Sequence, residues 1–253
     1  MKETNFSEIA ARYDQNEFRS EEILRDKRLK AYIETHSRSS YEILDLSCGT
    51  GLYLAHQMKE FKDSYINWHG LDASEQMLEK ALTRLKNVPL VHGVAENLPY
   101  RSASFDYIAN NFAFHHYLHK HQALDEIHRI LKPGGVYYMH NISVDRMPLW
   151  WLYHYFPSAQ IEDQKRFWDK EMIYDQLKAR GFKVDLQIDY QLSEVKIADY
   201  LNHAENRDIS ALTLISEDEY QKGLERMRFD VQGDPESTVV NDFAELFCVA
   251  EKI

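Results

Sequence analysis

Tyr41-Glu42-Ile43-Leu44-Asp45-Leu46-Ser47-Cys48-Gly49-Thr50-Gly51 is the stretch on which the reading of the fold turns. Residues 41–46 form a short apolar run of the kind that makes a buried strand. It ends in a glycine-containing turn, and a helical pattern follows over 52–61. The same alternation continues outward. Strands are expected at 65–71, 88–92, 105–109 and 136–141, with helices at 74–86 and 121–131 between them. Lys132-Pro133-Gly134-Gly135 reads as a helix stop, because Pro cannot continue the helix and Gly takes the turn. Regular strand–helix alternation with short buried strands predicts a parallel sheet covered by helices on both faces.

The turn at 45–51 also carries chemistry. Glycine lacks a Cβ, so backbone there can approach a ligand closely. The following helix offers N–H groups at its start. Ligands in open α/β sheets sit outside the carboxyl ends of the strands, where this turn lies. Alone, such a turn is a weak signal, with a plain structural bend as the lesser alternative. Asp72 shifts the balance. It stands about 20 residues beyond Gly51, at the end of the second strand, where an acidic side chain accepts hydrogen bonds from ribose hydroxyls. The bland alternative makes Asp72 a helix cap. Ser74 can cap that helix itself, leaving the carboxylate free. A dinucleotide is less well served than a single nucleoside. The third glycine of the dinucleotide fingerprint is replaced by Leu54, and the first by Ser47.

With these residues go Gly70-Leu71-Asp72-Ala73-Ser74-Glu75-Gln76-Met77-Leu78, Gly93-Val94-Ala95-Glu96-Asn97-Leu98-Pro99-Tyr100, Ser104-Phe105-Asp106 and Leu131-Lys132-Pro133-Gly134-Gly135. In order and spacing the five segments resemble the class I S-adenosylmethionine-dependent methyltransferases, most closely the small-molecule branch that includes the quinone C-methyltransferases. The resemblance covers about residues 41–141. It implies an α/β fold: a doubly wound, seven-stranded, mainly parallel sheet of order 3-2-1-4-5-7-6, strand 7 antiparallel, with helical lid insertions. It implies S-adenosyl-L-methionine as cofactor. Asp45, Ser47, Cys48, Gly49 and Gly51 would then line the methionine part. Asp72 would hold the ribose hydroxyls, Ala73 and Met77 would pack near the adenine, and Ala95 and Glu96 would lie along its edge. Asn111 and Phe112 would approach the sulfonium, and Tyr13 would belong to an N-terminal lid. Two positions depart from the family. Ser47 replaces a usual Gly and fits if its φ stays negative. Val94 replaces an Asp that faces the adenine amino group, so that bond falls to Glu96 or a backbone carbonyl.

The resemblance makes residues 1–253 one methyltransferase domain. Its parts are an N-terminal helical lid (1–40, with helices at 4–14 and 20–35), a cofactor-binding core (41–141), an aromatic lid and helix (142–180) and an insertion (191–242) between two late strands at 183–190 and 243–250. Helical patterning recurs near 194–205 and 216–228. Trp150, Trp151, Tyr153, Tyr155, Phe156, Phe167 and Trp168 crowd into 142–170. They suit an apolar acceptor pocket or lid, and equally a packed core.

Methyl transfer from a sulfonium needs alignment above all. A base helps only where the acceptor holds its proton tightly. His116, in the run Phe114-His115-His116-Tyr117-Leu118-His119, is the candidate base or acceptor-positioning residue, with a packing or surface role as the plainer reading. His115 and His119 have the i, i+4 spacing of helical metal ligands, but a double His here is common in the resembled family without a metal, and no metal is expected. The turn Arg207-Asp208-Ile209-Ser210 is a candidate for placing charge near an acceptor. Glu217-Asp218-Glu219 reads as a solvated helix start.

Composition narrows the classes. Lys and Arg total 30 against 41 Asp and Glu, a formal net charge of −11, which disfavours nucleic acid as partner. The amine-methylating Asn/Asp-Pro-Pro-Tyr signature is absent, the corresponding residues being Asn110-Asn111-Phe112-Ala113. Cys48 and Cys248 are the two cysteines, which suits a reducing cytosol rather than a disulfide framework. No run of about 18 apolar residues is present, so no membrane span is expected. The expected activity is methyl transfer to a small, partly apolar or aromatic acceptor. The competing class is a protein that binds the cofactor without turnover, as a sensor or partner subunit.

Overall fold

The computed structural model describes Thr4, Phe6, Tyr13, Asp14, residues 25–62 and residues 65–253. The expected helix at 4–14, those four residues apart, and the first residues of the one at 20–35 lie outside the described residues. The rest of the second is α1, Lys27–His36, capped by Asp26, whose Oδ1 accepts the N–H groups of Arg28 and Leu29 at 2.8 and 2.9 Å. Then come β1 (Tyr41–Leu46), α2 (Leu52–Glu60), β2 (Ile66–Asp72), α3 (Glu75–Arg84), β3 (Leu90–His92), β4 (Phe105–Asn111), α4 (Lys120–Ile130) and β5 (Leu131–Ile142). Helices α5 (Trp151–Tyr155), α6 (Pro157–Arg166) and α7 (Lys170–Ala179) precede β6 (Phe182–Lys196). Helices α8 (Ala198–Glu205) and α9 (Glu217–Gly233) precede β7 (Thr238–Lys252).

The seven strands form one mixed sheet in the expected order, β3-β2-β1-β4-β5-β7-β6. The pairings of β1 with β2 and β4, of β2 with β3 and of β4 with β5 are parallel. Parallel registry brings the carboxyl ends of β1, β2 and β4 to one edge: Leu46 pairs with Leu71, and Asp45 with Ala109. The opposite end is closed by Asp106, fully buried, which takes Arg38 at 2.7 Å, Lys132 at 2.6 Å and the Glu42 N–H at 2.8 Å. A buried carboxylate is tolerable there because two cations and a backbone donor surround it.

The late strands β5, β6 and β7 differ most from expectation at their ends, β7 beginning at Thr238 rather than 243. β5 begins at Leu131 rather than 136, since Leu131, fully buried, already pairs with Phe105. The next pair is Tyr107 with Val136, so Lys132–Gly135 bulge out of the ladder. β6 runs on to Lys196, past 190, through residues 190–194, which are all exposed.

The chain divides into two compact units. One comprises residues 5–141, 171–187 and 247–253. Its largest core cluster includes Leu29, Tyr41, Ile43, Leu54, Tyr107 and Ala109. The other comprises residues 1–4, 142–170 and 188–246, and its core is the aromatic segment. Trp150, Trp151, Tyr153, Tyr155 and Phe156 are all buried in that cluster, and Phe156 stacks on Tyr220 at 6.0 Å. Their burial meets the core reading of these aromatics, while Tyr153 and Tyr155 also line cavities within this unit. Within this unit Arg166 pairs with Asp163 at 2.6 Å, both almost fully buried, and Tyr153 donates to the same carboxylate at 2.8 Å. Among the described residues no helix is long and apolar enough to cross a membrane.

Candidate functional site

The turn after β1 is strapped to the end of β2. The N–H groups of Ser47 and Cys48 both donate to the Leu71 carbonyl, at 2.7 and 2.9 Å. The Gly49 N–H donates to Asp72 Oδ2 at 2.8 Å, and the Gly51 N–H to the Cys48 carbonyl at 2.9 Å. These four amides are committed within the protein, so at these positions the turn offers no N–H cradle to a diphosphate. Gly51 has φ +76°, and a Cβ there would lie 2.6 Å from Leu85 Cδ1, which is why glycine opens α2.

Ser47 departs from expectation. Its φ is +69°, in the left-handed region rather than the negative one. That backbone costs a non-glycine residue about 1–2 kcal/mol. Its hydroxyl meets Tyr117 Oη at 3.0 Å.

Asp72 is also less free than the sequence suggests. Ser74 does cap α3, accepting the Met77 N–H at 3.3 Å. Yet Asp72 Oδ1 accepts the Ser74 N–H at 2.8 Å, while Oδ2 holds Gly49. Each carboxylate oxygen has a second lone pair, so the group can still accept two further donors. Burial raises the Asp72 pKa, and the backbone N–H bonds oppose that rise.

Asp45 is buried, and its Oδ2 has no hydrogen-bond partner among the described residues. Burial, with the Asp72 charge adding to it, holds the Asp45 pKa well above the ordinary carboxylate value. Asn111 Nδ2, at the end of the adjacent β4, is likewise buried without a partner. A buried acceptor and a buried donor at one sheet edge are costly unless a ligand or water satisfies them. The Cys48 thiol is pushed up by burial, then by Asp45 and Asp72, and is no nucleophile.

Around this edge the other expected residues take definite places. Met77 is buried under Phe6 and Tyr13. Asp14, beside Tyr13, accepts from Thr50 Oγ1 at 2.5 Å and pairs with Arg84 at 2.8 Å, while Arg84 also donates to the Thr50 carbonyl. Ala73 is exposed and Ala95 buried. Glu96 Oε1 accepts the N–H groups of Leu118 and His119 at 2.9 and 3.2 Å, which turns this carboxylate to the loop after β4. Phe112 has φ +50°, and its ring lies 4.3 Å from that of His140, which stacks on Phe247 at 4.4 Å.

His116 is half-buried in a 3-10 turn, Phe114–His116, with its ring edge-on to Phe6 at 4.7 Å. His115 Nδ1 meets Asn141 Oδ1 at 3.0 Å. Because a 3-10 turn ends before His119 and α4 starts at Lys120, His115 and His119 do not share a helix face, which removes the metal-ligand spacing. The 207–210 turn is taken up inside its own unit: Arg207 stacks on Tyr220 at 3.7 Å and pairs with Glu217, and Asp208 meets His203 at 2.9 Å. At the start of α9, Ser216 and Glu219 form a capping box.

Two residues that the sequence reading passed over lie at the centre. Asn110 is fully buried and donates through Nδ2 to the Leu46 carbonyl at 2.9 Å and to Tyr117 Oη at 2.8 Å. No local pattern marked them, since Asn110 stands beside Asn111 at the end of a strand that already carries Asp106.

Residues 44–139 match the family profile described as a methyltransferase domain. The match covers less than half of the chain. The chain is similar to the demethylmenaquinone methyltransferase of Staphylococcus epidermidis, with 35% identity over 150 residues, 58% of this chain and 62% of the relative. It is 27% identical over 138 residues to the ubiquinone/menaquinone biosynthesis C-methyltransferase of Campylobacter jejuni, covering 52% and 59% of the two chains. It thus spans less than two thirds of the length of these curated relatives. In fold it is similar to an Anabaena variabilis protein described as a methyltransferase from an antibiotic biosynthesis pathway (TM-score 0.68, 21% identity, 89% and 97% coverage). A second likeness is to Haemonchus contortus phosphoethanolamine N-methyltransferase 2 in complex with S-adenosyl-L-methionine (TM-score 0.59, 19% identity, 98% and 60% coverage).

Proposed function

We propose that this chain transfers a methyl group from S-adenosyl-L-methionine to a small, partly apolar or aromatic acceptor. The observation that carries the reading is the unpartnered Asp45 Oδ2, at the same sheet edge as Asp72. Asp45 receives the ammonium of the methionine part, and the remaining lone pairs of Asp72 receive the ribose hydroxyls. Asn111 Nδ2 supplies a donor beside them. Ala73, Met77, Ala95 and Glu96 border the adenine, with a backbone carbonyl as the better partner for its amino group, since Glu96 is engaged elsewhere. Phe6 and Tyr13 close over Met77.

When bound, the cofactor supplies a methyl group already activated on a sulfonium. The protein then has to align donor and acceptor, a contribution of about 7–11 kcal/mol in well-oriented reactions. His116, just beyond β4, orients the acceptor or removes its proton. The names of the relatives support a quinol-type aromatic acceptor, a ring carbon of which takes the methyl group while a ring proton leaves to a base.

The test is calorimetric titration with S-adenosylhomocysteine, followed by mass spectrometry of reactions with demethylated quinols and other small aromatic acceptors. Binding with stoichiometric S-adenosylhomocysteine production supports the enzyme. Binding without turnover on any acceptor favours the sensor, and absence of binding removes both.

A further inference from the structure

The carboxyl edge of the sheet changes character across β4. On β1 and β2 it carries the carboxyl groups of Asp45 and Asp72, and on the side of β5 and β7 it carries rings. Asn111, the last residue of β4, pairs with His140 of β5, and Phe112 next to it donates its N–H to the His140 carbonyl at 2.7 Å. That bond holds Phe112 at φ +50°, a left-handed conformation that is costly for any residue with a Cβ. The Phe112 ring lies 4.3 Å from the imidazole of His140, which stacks in turn on Phe247 of β7 at 4.4 Å with the planes 21° apart. All three residues belong to the unit that contains 5–141 and 247–253.

Phe112 ends this row of rings. It is 40% exposed, whereas His140 and Phe247 are half-buried. A single exposed apolar side chain is ordinary. At Phe112, exposure coincides with a backbone that Gly or Asn would adopt at less cost. The turn therefore does not call for a phenyl ring, and the fold leaves much of that ring in solvent. A ring fixed against a second ring, with area still open, is preorganised to receive a third at a centroid spacing of about 4.5–7 Å.

We propose that Phe112 selects a planar aromatic acceptor by stacking on its ring, with His140 and Phe247 as the positioning residues behind it. The proposal rests on the methyl-transfer reading above and deepens it by naming the feature of the acceptor that is read. A flat unsaturated ring gains from the stack, while a saturated molecule of the same skeleton gains only the buried area. Phe112 takes no proton, so this selection is separate from the proton chemistry given to His116.

Titration calorimetry on the chain loaded with S-adenosylhomocysteine tests this, with 2-naphthol and its saturated counterpart decahydro-2-naphthol as probes. The preference of the wild type for 2-naphthol should exceed that of Phe112→Leu, which keeps apolar bulk without the ring, by about three- to tenfold, the worth of one ring–ring contact. Phe112→Trp should keep the preference, and His140→Ala should reduce it. All three variants should hold S-adenosylhomocysteine within about twofold of the wild type. Equal losses of both probes in Phe112→Leu would mean a merely structural role. An unchanged preference would remove Phe112 from acceptor recognition, and a large loss of S-adenosylhomocysteine would put its ring in the cofactor site instead. Each of these results, or a loaded wild-type chain that binds neither probe, overturns the proposal while wild-type binding of S-adenosylhomocysteine keeps the cofactor reading intact. A wild-type chain that does not bind S-adenosylhomocysteine overturns that reading and the proposal with it. Should His140→Ala fail to fold, the two Phe112 variants decide.

Discussion

Asp72→Ala should damage stability and binding together, and by separable amounts. In the folded chain both carboxylate oxygens are engaged by backbone N–H groups, Gly49 and Ser74, each at 2.8 Å. Alanine leaves two donors without their partner, at about 1–3 kcal/mol each if water does not replace it. Relief of burying the carboxylate offsets part of that cost, so a net loss of about 1–3 kcal/mol is expected. For a chain of this size that lowers Tm by about 2–12 °C. Two charge-assisted bonds to the ribose are lost as well, which weakens S-adenosylhomocysteine about tenfold or more. 5′-Methylthioadenosine, which has the same nucleoside without the amino-acid end, should be weakened to the same degree, because it keeps the ribose. Differential scanning calorimetry and titration calorimetry read the two effects on one preparation. Asp72→Asn retains an acceptor oxygen for one backbone N–H and should lie between alanine and wild type in both. A folded Asp72→Ala chain with unchanged affinity for both ligands would refute the ribose role. An unchanged Tm would show that the two backbone bonds hold nothing.

Three further outcomes are expected. Asp14→Ala breaks the bridge to Thr50 and Arg84, a partly exposed pair worth under about 1 kcal/mol, and should speed S-adenosylhomocysteine release about two- to fivefold in stopped-flow measurements with little change in Tm. The Asp45 pKa is raised on folding, so the folded chain binds the proton more tightly and loses stability as pH rises from the ordinary carboxylate value towards the raised one. Asp45→Asn should flatten that slope in thermal melts across pH 4–8, while weakening S-adenosylhomocysteine about tenfold. Gly223→Ala puts a Cβ 2.3 Å from the Phe156 ring and 2.8 Å from the Tyr155 carbonyl, and should cost about 1–3 kcal/mol, seen as a lowered Tm.

The strand–helix alternation over 41–141 was legible because β1 and β4 are short and mostly buried and β3 is bounded by Pro89 and Gly93. The terminal errors have physical causes. The Pro-Gly-Gly sequence at 133–135 reads as a turn, yet it bulges from a strand that Leu131 has already joined. The aromatics of 150–156 carry a pattern that a core and a pocket share, and in the structure Tyr153 and Tyr155 are both buried and cavity-lining. Asp45 and Asp72 could be read because strand order puts them at one edge. Asn110 and Tyr117 could not, because the contacts that give them meaning join positions 64 and 70 residues away, and no local period records those. Ser47 was misread for a related reason: its backbone angle is decided by the strap to Leu71, not by its own preference.

The choice between a nucleoside and a dinucleotide, which the missing glycines left as a matter of degree, becomes electrostatic in the structure. A diphosphate site gathers donors, as N–H groups at a turn and helix start. Here the turn amides at 47, 48, 49 and 51 are consumed by Leu71, Asp72 and Cys48. What the edge offers instead is mostly acceptor: the unpartnered Asp45 Oδ2 and the second lone pairs of Asp72. The Asp72 charge raises the proton affinity of Asp45, and an edge lined by two carboxyl groups favours hydroxyls and cations over an anion. The proposed ligand, with a ribose diol, an ammonium and a positive sulfur, complements that edge, and Asn111 Nδ2 is a donor beside it for the ligand's single carboxylate.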